Sequence, residues 1–174
     1  GLIAGIGAYL NKVHPNVKII GVEAADSAGL HASVKAGKRI KLKEVGLFAD
    51  GAAAKQIGKN NYELIKNFLD DSITVDTDEI CAAVKDTFLE TRTVPEPTGA
   101  LALAGLKKYI SQKRIKNKNL IATYCGSNLN FESLGHIVER SKIGEKKEII
   151  LSIAIDEKKG SFRKLCRDIG QKNI

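Results

Sequence analysis

Methionine and tryptophan are absent from these 174 residues, and aromatic side chains of any kind make up only 5% of them. A core built from this chain therefore rests on aliphatic and small side chains rather than on stacked rings. Proline occurs three times, at Pro15, Pro95 and Pro97, so there is no proline-rich linker. The three cysteines, Cys81, Cys125 and Cys166, are odd in number and far apart. That argues against a disulfide framework and against metal-type spacing, and points to a reducing, cytoplasmic setting. No apolar run approaches membrane-spanning length and no secretory leader is evident, so no membrane partner is expected. The missing initiator Met suggests that the chain is the middle of a longer protein.

What is present is glycine and positive charge. Sixteen glycines, many beside alanine, suit close packing of helices on a sheet. Hydrophobic residues reach 43%, enough for one sizeable domain, or one domain with a piece of another. The net charge is +8, with a dense patch at Lys107, Lys108, Lys113, Arg114, Lys116 and Lys118. Such a run is ordinarily a solvated helix end and loop. Nucleic-acid binding asks for interleaved aromatics or a recognisable module, and only Tyr109 sits in this patch, so no nucleic-acid partner is expected.

Helical and strand patterns alternate. Ile3 to Val13 reads as a helix closed by His14-Pro15, Val17 to Val22 as a strand, and Asp26-Ser27 as the cap of a helix through Val34 that ends at Gly37. Lys38 to Glu44 is a polar link or edge strand. Leu47 to Ile57 and Asn61 to Phe68 read as helices, and Ser72 to Val75 as a short strand. Asp76-Thr77-Asp78-Glu79 is an acidic cap suited to the dipole of a helix from Ile80 to Glu90. Thr98 to Ile110 is a second helix, Leu120 to Tyr124 a strand and Phe131 to Glu139 a helix. Composition shifts at 141–148, read as a linker between a domain at 1–140 and a second, incomplete one at 149–174. The latter holds a strand, Ile149 to Ile155, and a helix, Phe162 to Ile169. Strands separated by helices imply βαβ units and a mainly parallel sheet, with ligands at the carboxyl ends of its strands. Two segments stand at such ends: Glu23-Ala24-Ala25 and Cys125-Gly126-Ser127-Asn128.

Three constellations carry possible chemistry. Gly1-Leu2-Ile3-Ala4-Gly5-Ile6-Gly7 reads as the end of a glycine-rich turn entering a helix. Backbone N–H groups there suit a phosphate, although helix packing also asks for small residues. In Cys125-Gly126-Ser127-Asn128 an apolar strand ends in a thiol. Its S–H suits a heteroaromatic ring nitrogen, or else the residue packs as a small hydrophobe. In Val94-Pro95-Glu96-Pro97-Thr98-Gly99, Glu96 is held stiffly at a helix start, either serving the helix dipole or lining a pocket. His14, His31 and His136 have no partners at useful spacing, so no metal set and no Ser-His-Asp arrangement is expected.

Together these stretches resemble the biosynthetic threonine dehydratases, within the fold-type II pyridoxal-phosphate enzymes. The matching segments are Gly1–Gly5, Ile20-Gly21-Val22-Glu23, Gly46-Leu47-Phe48-Ala49-Asp50-Gly51, Glu96-Pro97-Thr98-Gly99-Ala100-Leu101-Ala102-Leu103-Ala104-Gly105, Gly126-Ser127-Asn128-Leu129-Asn130-Phe131 and Glu139-Arg140, in family order. The tail Glu157 to Phe162 is similar to the start of that family's ACT-like regulatory region. The resemblance implies a three-layer α/β fold, pyridoxal phosphate as cofactor, and conversion of L-threonine to 2-oxobutanoate and ammonia, the first step of isoleucine biosynthesis. It implies isoleucine as an effector of the whole protein and a homo-oligomeric, typically tetrameric, assembly.

Residue by residue, it places the backbone of Gly1 and Leu2 at the cofactor phosphate and Cys125 at the pyridine nitrogen, where the family usually carries Ser. Ser127 is the fallback contact and Glu96 a pocket wall. It also implies that the Schiff-base lysine lies upstream, since no lysine here matches that motif. The segment alone should then be inactive. Serine dehydratases and racemases share several of these motifs, and Cys125 suits some of them. A non-catalytic binding or oligomerisation piece is the reading from outside enzymology.

Overall fold

The computed structural model describes residues 1–171. Its centre is a pair of parallel strands, β1 (Ile19–Ala24) and β2 (Leu69–Val75), registered from Ile20 opposite Asp71 to Ala24 opposite Val75. Parallel strands need a long crossover. Here it contains α2 (Gly29–Ala36), a loop and α3 (Lys59–Ile65). Before β1 lies α1 (Leu2–Val13), which stops at His14 because the residue before a proline is pushed out of helical geometry.

Both faces of the sheet are covered. Gly21 faces Leu30 of α2 and Ile3 of α1, whereas the next residue, Val22, faces Gly105. The alternation of a strand thus divides the chain into layers. On the first face Ala4, Leu30 and Ile65 form a small core with Ile3, Ile57, Phe68 and Leu69 packed around it. On the second face α4 (Thr77–Thr91), α5 (Pro97–Lys113) and α6 (Ser133–Gly144) enclose the larger core of Val75, Ile80, Cys81, Val84, Leu101 and Ile137. The architecture is the expected three-layer α/β arrangement, with helices on both faces of a parallel sheet.

Local chemistry explains the ends. Asp76 Oδ1 accepts from Glu79 N at 2.8 Å while Glu79 Oε2 accepts from Asp76 N at 2.9 Å, a complete capping box for α4. Gly37 closes α2 in the left-handed conformation. Pro97 opens α5, where its missing N–H costs nothing.

Four expectations are corrected. Leu47 to Ile57 is not a helix. Only Asp50–Ala52 makes a short 3-10 turn, and Leu42 N instead donates to Lys55 O at 2.8 Å beside a Lys41–Gln56 bridge. Gly46 and Gly51 disfavour helix there, and the Asp50 side chain accepts from Gly51 N at 2.8 Å, competing with helical bonding. The Asp26-Ser27 pair does not cap α2 but forms its own 3-10 turn, with Ala28 before the helix. Leu120 to Tyr124 and Ile149 to Ile155 are not strands. Each lacks a neighbouring strand to complete its hydrogen bonds among the described residues, and Ile121 and Ile149 stand 91% and 74% exposed.

The helix expected from Phe131 to Glu139 starts at Ser133 and runs on to Gly144, into the first half of the stretch read as linker. Gly144 lies directly against the Asp78 carbonyl of α4, which ties that last turn down. The final helix, α7 (Ser161–Gln171), forms as expected and buries none of its residues.

Candidate active site

The carboxyl ends of β1 and β2 open on a cavity of about 130 Å³ lined by Ala24, Ala25, Asp26, Phe48, Asp76 and Ile80, among others. Open parallel sheets hold ligands at this edge. Glu23, which the sequence places here, is already engaged. Its carboxylate accepts from Leu30 N at 2.9 Å and His31 N at 2.7 Å, so it acts as an internal cap for α2. Burial pushes its pKa upward from the ordinary carboxylate value, and the two backbone N–H groups oppose that only in part. His31 Nδ1 lies 2.8 Å from Ser72 Oγ on β2, which makes that histidine structural.

Gly1 is the N-cap residue of α1. No side chain caps the helix, no acidic residue occupies its first turn, and a Cβ on Gly1 or Gly5 would meet nothing within 4 Å. Free N–H groups at a helix start are a standing anion site. Leu2 follows, 55% exposed.

The other expected residues meet across a second junction. Glu96 is the N-cap of α5 and makes no side-chain capping bond. Its backbone N–H donates to the Gly126 carbonyl at 3.1 Å, and its carboxyl group lies against Gly126. Cys125 is exposed and free, with its carbonyl pressed on Gly99. Ser127 is exposed. The structure therefore brings Glu96, Cys125 and Gly126 together, with Ser127 next in the chain.

Two features escaped the sequence reading. Thr98 Oγ1 is buried without a hydrogen-bond partner, beside Gly51. A lone buried hydroxyl is costly unless something completes it, but nothing in the pattern Pro-Glu-Pro-Thr-Gly distinguishes a buried hydroxyl from an exposed one. Thr93 Oγ1 lies 2.9 Å from the Tyr124 hydroxyl, an anchor joining positions 31 apart in sequence. Elsewhere three of the six residues of the basic patch are engaged in ion pairs. Lys107 meets Asp86, Lys108 meets Glu79 at 2.8 Å and Lys113 meets Asp71 at 3.5 Å. These contacts favour the solvated-face reading of the patch. Cys81 is buried in the core, and burial together with Asp78 pushes its thiol up to about 12, so it is inert. No helix among the described residues is long and apolar enough to cross a membrane.

A parallel sheet covered on both faces, with an uncapped helix start and a thiol-bearing loop seated on a second helix start, defines a ligand-binding α/β domain. Residues 1–126 match the family described as pyridoxal-phosphate dependent enzyme, and the chain belongs to that family. It is 47% identical over its whole length to the L-threonine dehydratase biosynthetic IlvA of Burkholderia multivorans, of which it covers 34%. The chain thus spans about a third of the length of the curated relatives it matches.

Among solved structures, the processed form of threonine deaminase isoform 2 from Solanum lycopersicum matches 80% of this chain and 41% of its own. The TM-score is 0.79 and the identity 37%. Maize serine racemase matches 80% of this chain and 43% of its own, with a TM-score of 0.66 and 25% identity. The residues present fit the family's cofactor at two observed points. The open, uncapped α1 start suits a phosphate, and the unpartnered Thr98 hydroxyl awaits a polar partner.

Proposed function

We propose that this chain is the carboxyl part of the catalytic domain of a threonine dehydratase. The whole protein would convert L-threonine to 2-oxobutanoate and ammonia in the isoleucine pathway. The observation that carries this reading is the 47% identity, sustained over every residue of the chain, to proteins named for that activity. The higher TM-score and identity to the tomato threonine deaminase than to the maize serine racemase support it.

When bound, pyridoxal phosphate supplies the electron sink that lets the α-proton leave and the β-hydroxyl be expelled. The chain's own residues bind and orient. The N–H groups of Gly1 and Leu2 would hold the phosphate at the α1 start, where the helix dipole favours negative charge. The Cys125 thiol would serve the ring nitrogen as a neutral donor, weaker than the hydroxyl of a serine. A neutral donor does not force a proton onto that nitrogen, which suits elimination. Ser127 is the alternative donor, and Glu96 walls the pocket beside Gly126.

The lysine that holds the cofactor covalently belongs outside residues 1–174, so this segment alone is inactive. Residues 149–174 are the start of an ACT-like regulatory region through which isoleucine acts on an oligomeric enzyme. The three free cysteines support a reducing, cytoplasmic place of work. A serine dehydratase or racemase is the second reading, favoured by Cys125 alone. The test is product formation by the full-length protein from threonine and from serine. A higher kcat/KM for threonine with release of 2-oxobutanoate is expected. A preference for serine, or racemisation without ammonia, would favour the second reading.

A further inference from the structure

Two segments distant in sequence, Thr93–Gly99 and Tyr124–Gly126, are held against each other at several points. The Tyr124 hydroxyl is 2.9 Å from Thr93 Oγ1, which is itself 2.6 Å from Thr91 Oγ1. Glu96 N donates to the Gly126 carbonyl at 3.1 Å. At Gly99, the third residue of α5, any Cβ would overlap the Cys125 carbonyl, and at Gly126 any Cβ would overlap the Glu96 carboxyl group. Of the two neighbours of Cys125, Gly126 is fixed to Glu96 at the start of α5 and Tyr124 to Thr93 in the link before that helix, while Cys125 itself remains exposed.

We propose that the first turn of α5 is the seat that sets where the Cys125 thiol points, and that Gly99 and Gly126 are positioning residues for that thiol. The importance of the thiol's position rests on the reading of Cys125 as the ring-nitrogen contact. At Gly99 the obstacle is backbone rather than the tip of a flexible side chain, so an added methyl must move a chain segment. Helix α5 is 17 residues long and anchored in the core through Ala100, Leu101 and Ala104. The 120–126 segment has no strand partner. The loop therefore yields, and it carries the thiol with it. Gly126 has φ +75, in the left-handed region that glycine tolerates and other residues resist. A substitution there strains the backbone as well as displacing Glu96.

The test is alkylation of Cys125 in the full-length protein, resolved to the residue by mass spectrometry, with and without added pyridoxal phosphate. Wild type, Gly99→Ala and the control Gly135→Ala are compared, since a Cβ on Gly135 meets nothing. Exposed Cys166 and buried Cys81 are internal standards, because loss of fold would unmask Cys81. Without cofactor, Gly99→Ala should change the Cys125 rate several-fold, leave Cys81 protected and leave Cys166 unchanged, while Gly135→Ala behaves as wild type. An unchanged Cys125 rate in Gly99→Ala overturns the proposal. If pyridoxal phosphate fails to protect Cys125 in wild type while Gly99→Ala still shifts the rate, the seat stands and the ring-nitrogen reading falls. Should Gly99→Ala fail to fold, Glu96→Ala removes the side chain seated against Gly126 at the start of α5. A smaller shift at Cys125 supports the seat, and no shift overturns it.

Discussion

Gly1 and Gly5 at the start of α1 face open space, whereas Gly99, Gly105 and Gly126 are pressed against neighbouring atoms. The same residue type serves two ends. At α1 the missing side chain leaves backbone N–H groups approachable by a ligand. Around α5 it lets two pieces of chain touch. The first use shapes a site from outside, and the second fixes the parts that form it. Helix α1 contains both, because a Cβ on Gly7 would overlap the Phe68 ring while Gly5, two residues earlier, is free.

Substitutions can break this contrast, and the largest expected effect is at the crowded positions. Gly99→Ala should lower kcat/KM of the full-length enzyme by roughly a hundredfold, as misplacement by about 1 Å can do. Activity close to wild type would place Gly99 outside the machinery. Gly105→Ala drives a methyl into Val22 of β1 and should cost about 1–3 kcal/mol of stability, measurable as a lowered denaturation midpoint. Gly5→Ala should do the reverse, adding up to about 1 kcal/mol through helix propensity alone. A loss of stability there would mean that the α1 face is packed after all.

The smallest expected effect concerns Glu23 at the sheet edge. Burial raises its pKa from 4.5, so the folded chain holds that proton to higher pH than the unfolded chain does. Its contribution is fully present at acid pH and declines as pH rises through the raised value. Glu23→Gln should flatten that decline in unfolding free energy measured against pH, and an unchanged slope would contradict the assignment.

The comparison also explains what could be read from residue order. Periodicity and caps are local, so α1, α4, α5 and α7 were legible, as was the Asp76–Glu79 cap. The alternation of β1 and β2 with helices was enough to imply a parallel sheet. Strand character at Leu120–Tyr124 and Ile149–Ile155 was overread, because an apolar β-rich run becomes a strand only beside a partner. The run at Leu47–Ile57 looked helical through its alanines, but two glycines and the Asp50 side chain favour turns. Glu96 and Cys125 were legible as separate candidates. Their meeting was not, since it depends on Gly99 and Gly126 lacking a Cβ in contacts between Glu96–Gly99 and Cys125–Gly126, segments separated by the rest of α5 and the loop after it. Thr98 and the Thr93–Tyr124 anchor were invisible for the same reason, as burial and long-range pairing are properties of the fold.

The most direct test of the proposed division of labour is to trap the cofactor by borohydride reduction in the full-length protein and map the modified lysine. The expected result is a pyridoxyl group on a lysine outside residues 1–174, with Cys125 and the α1 start supplying only non-covalent contacts. A pyridoxyl group on any lysine within residues 1–174 would contradict it.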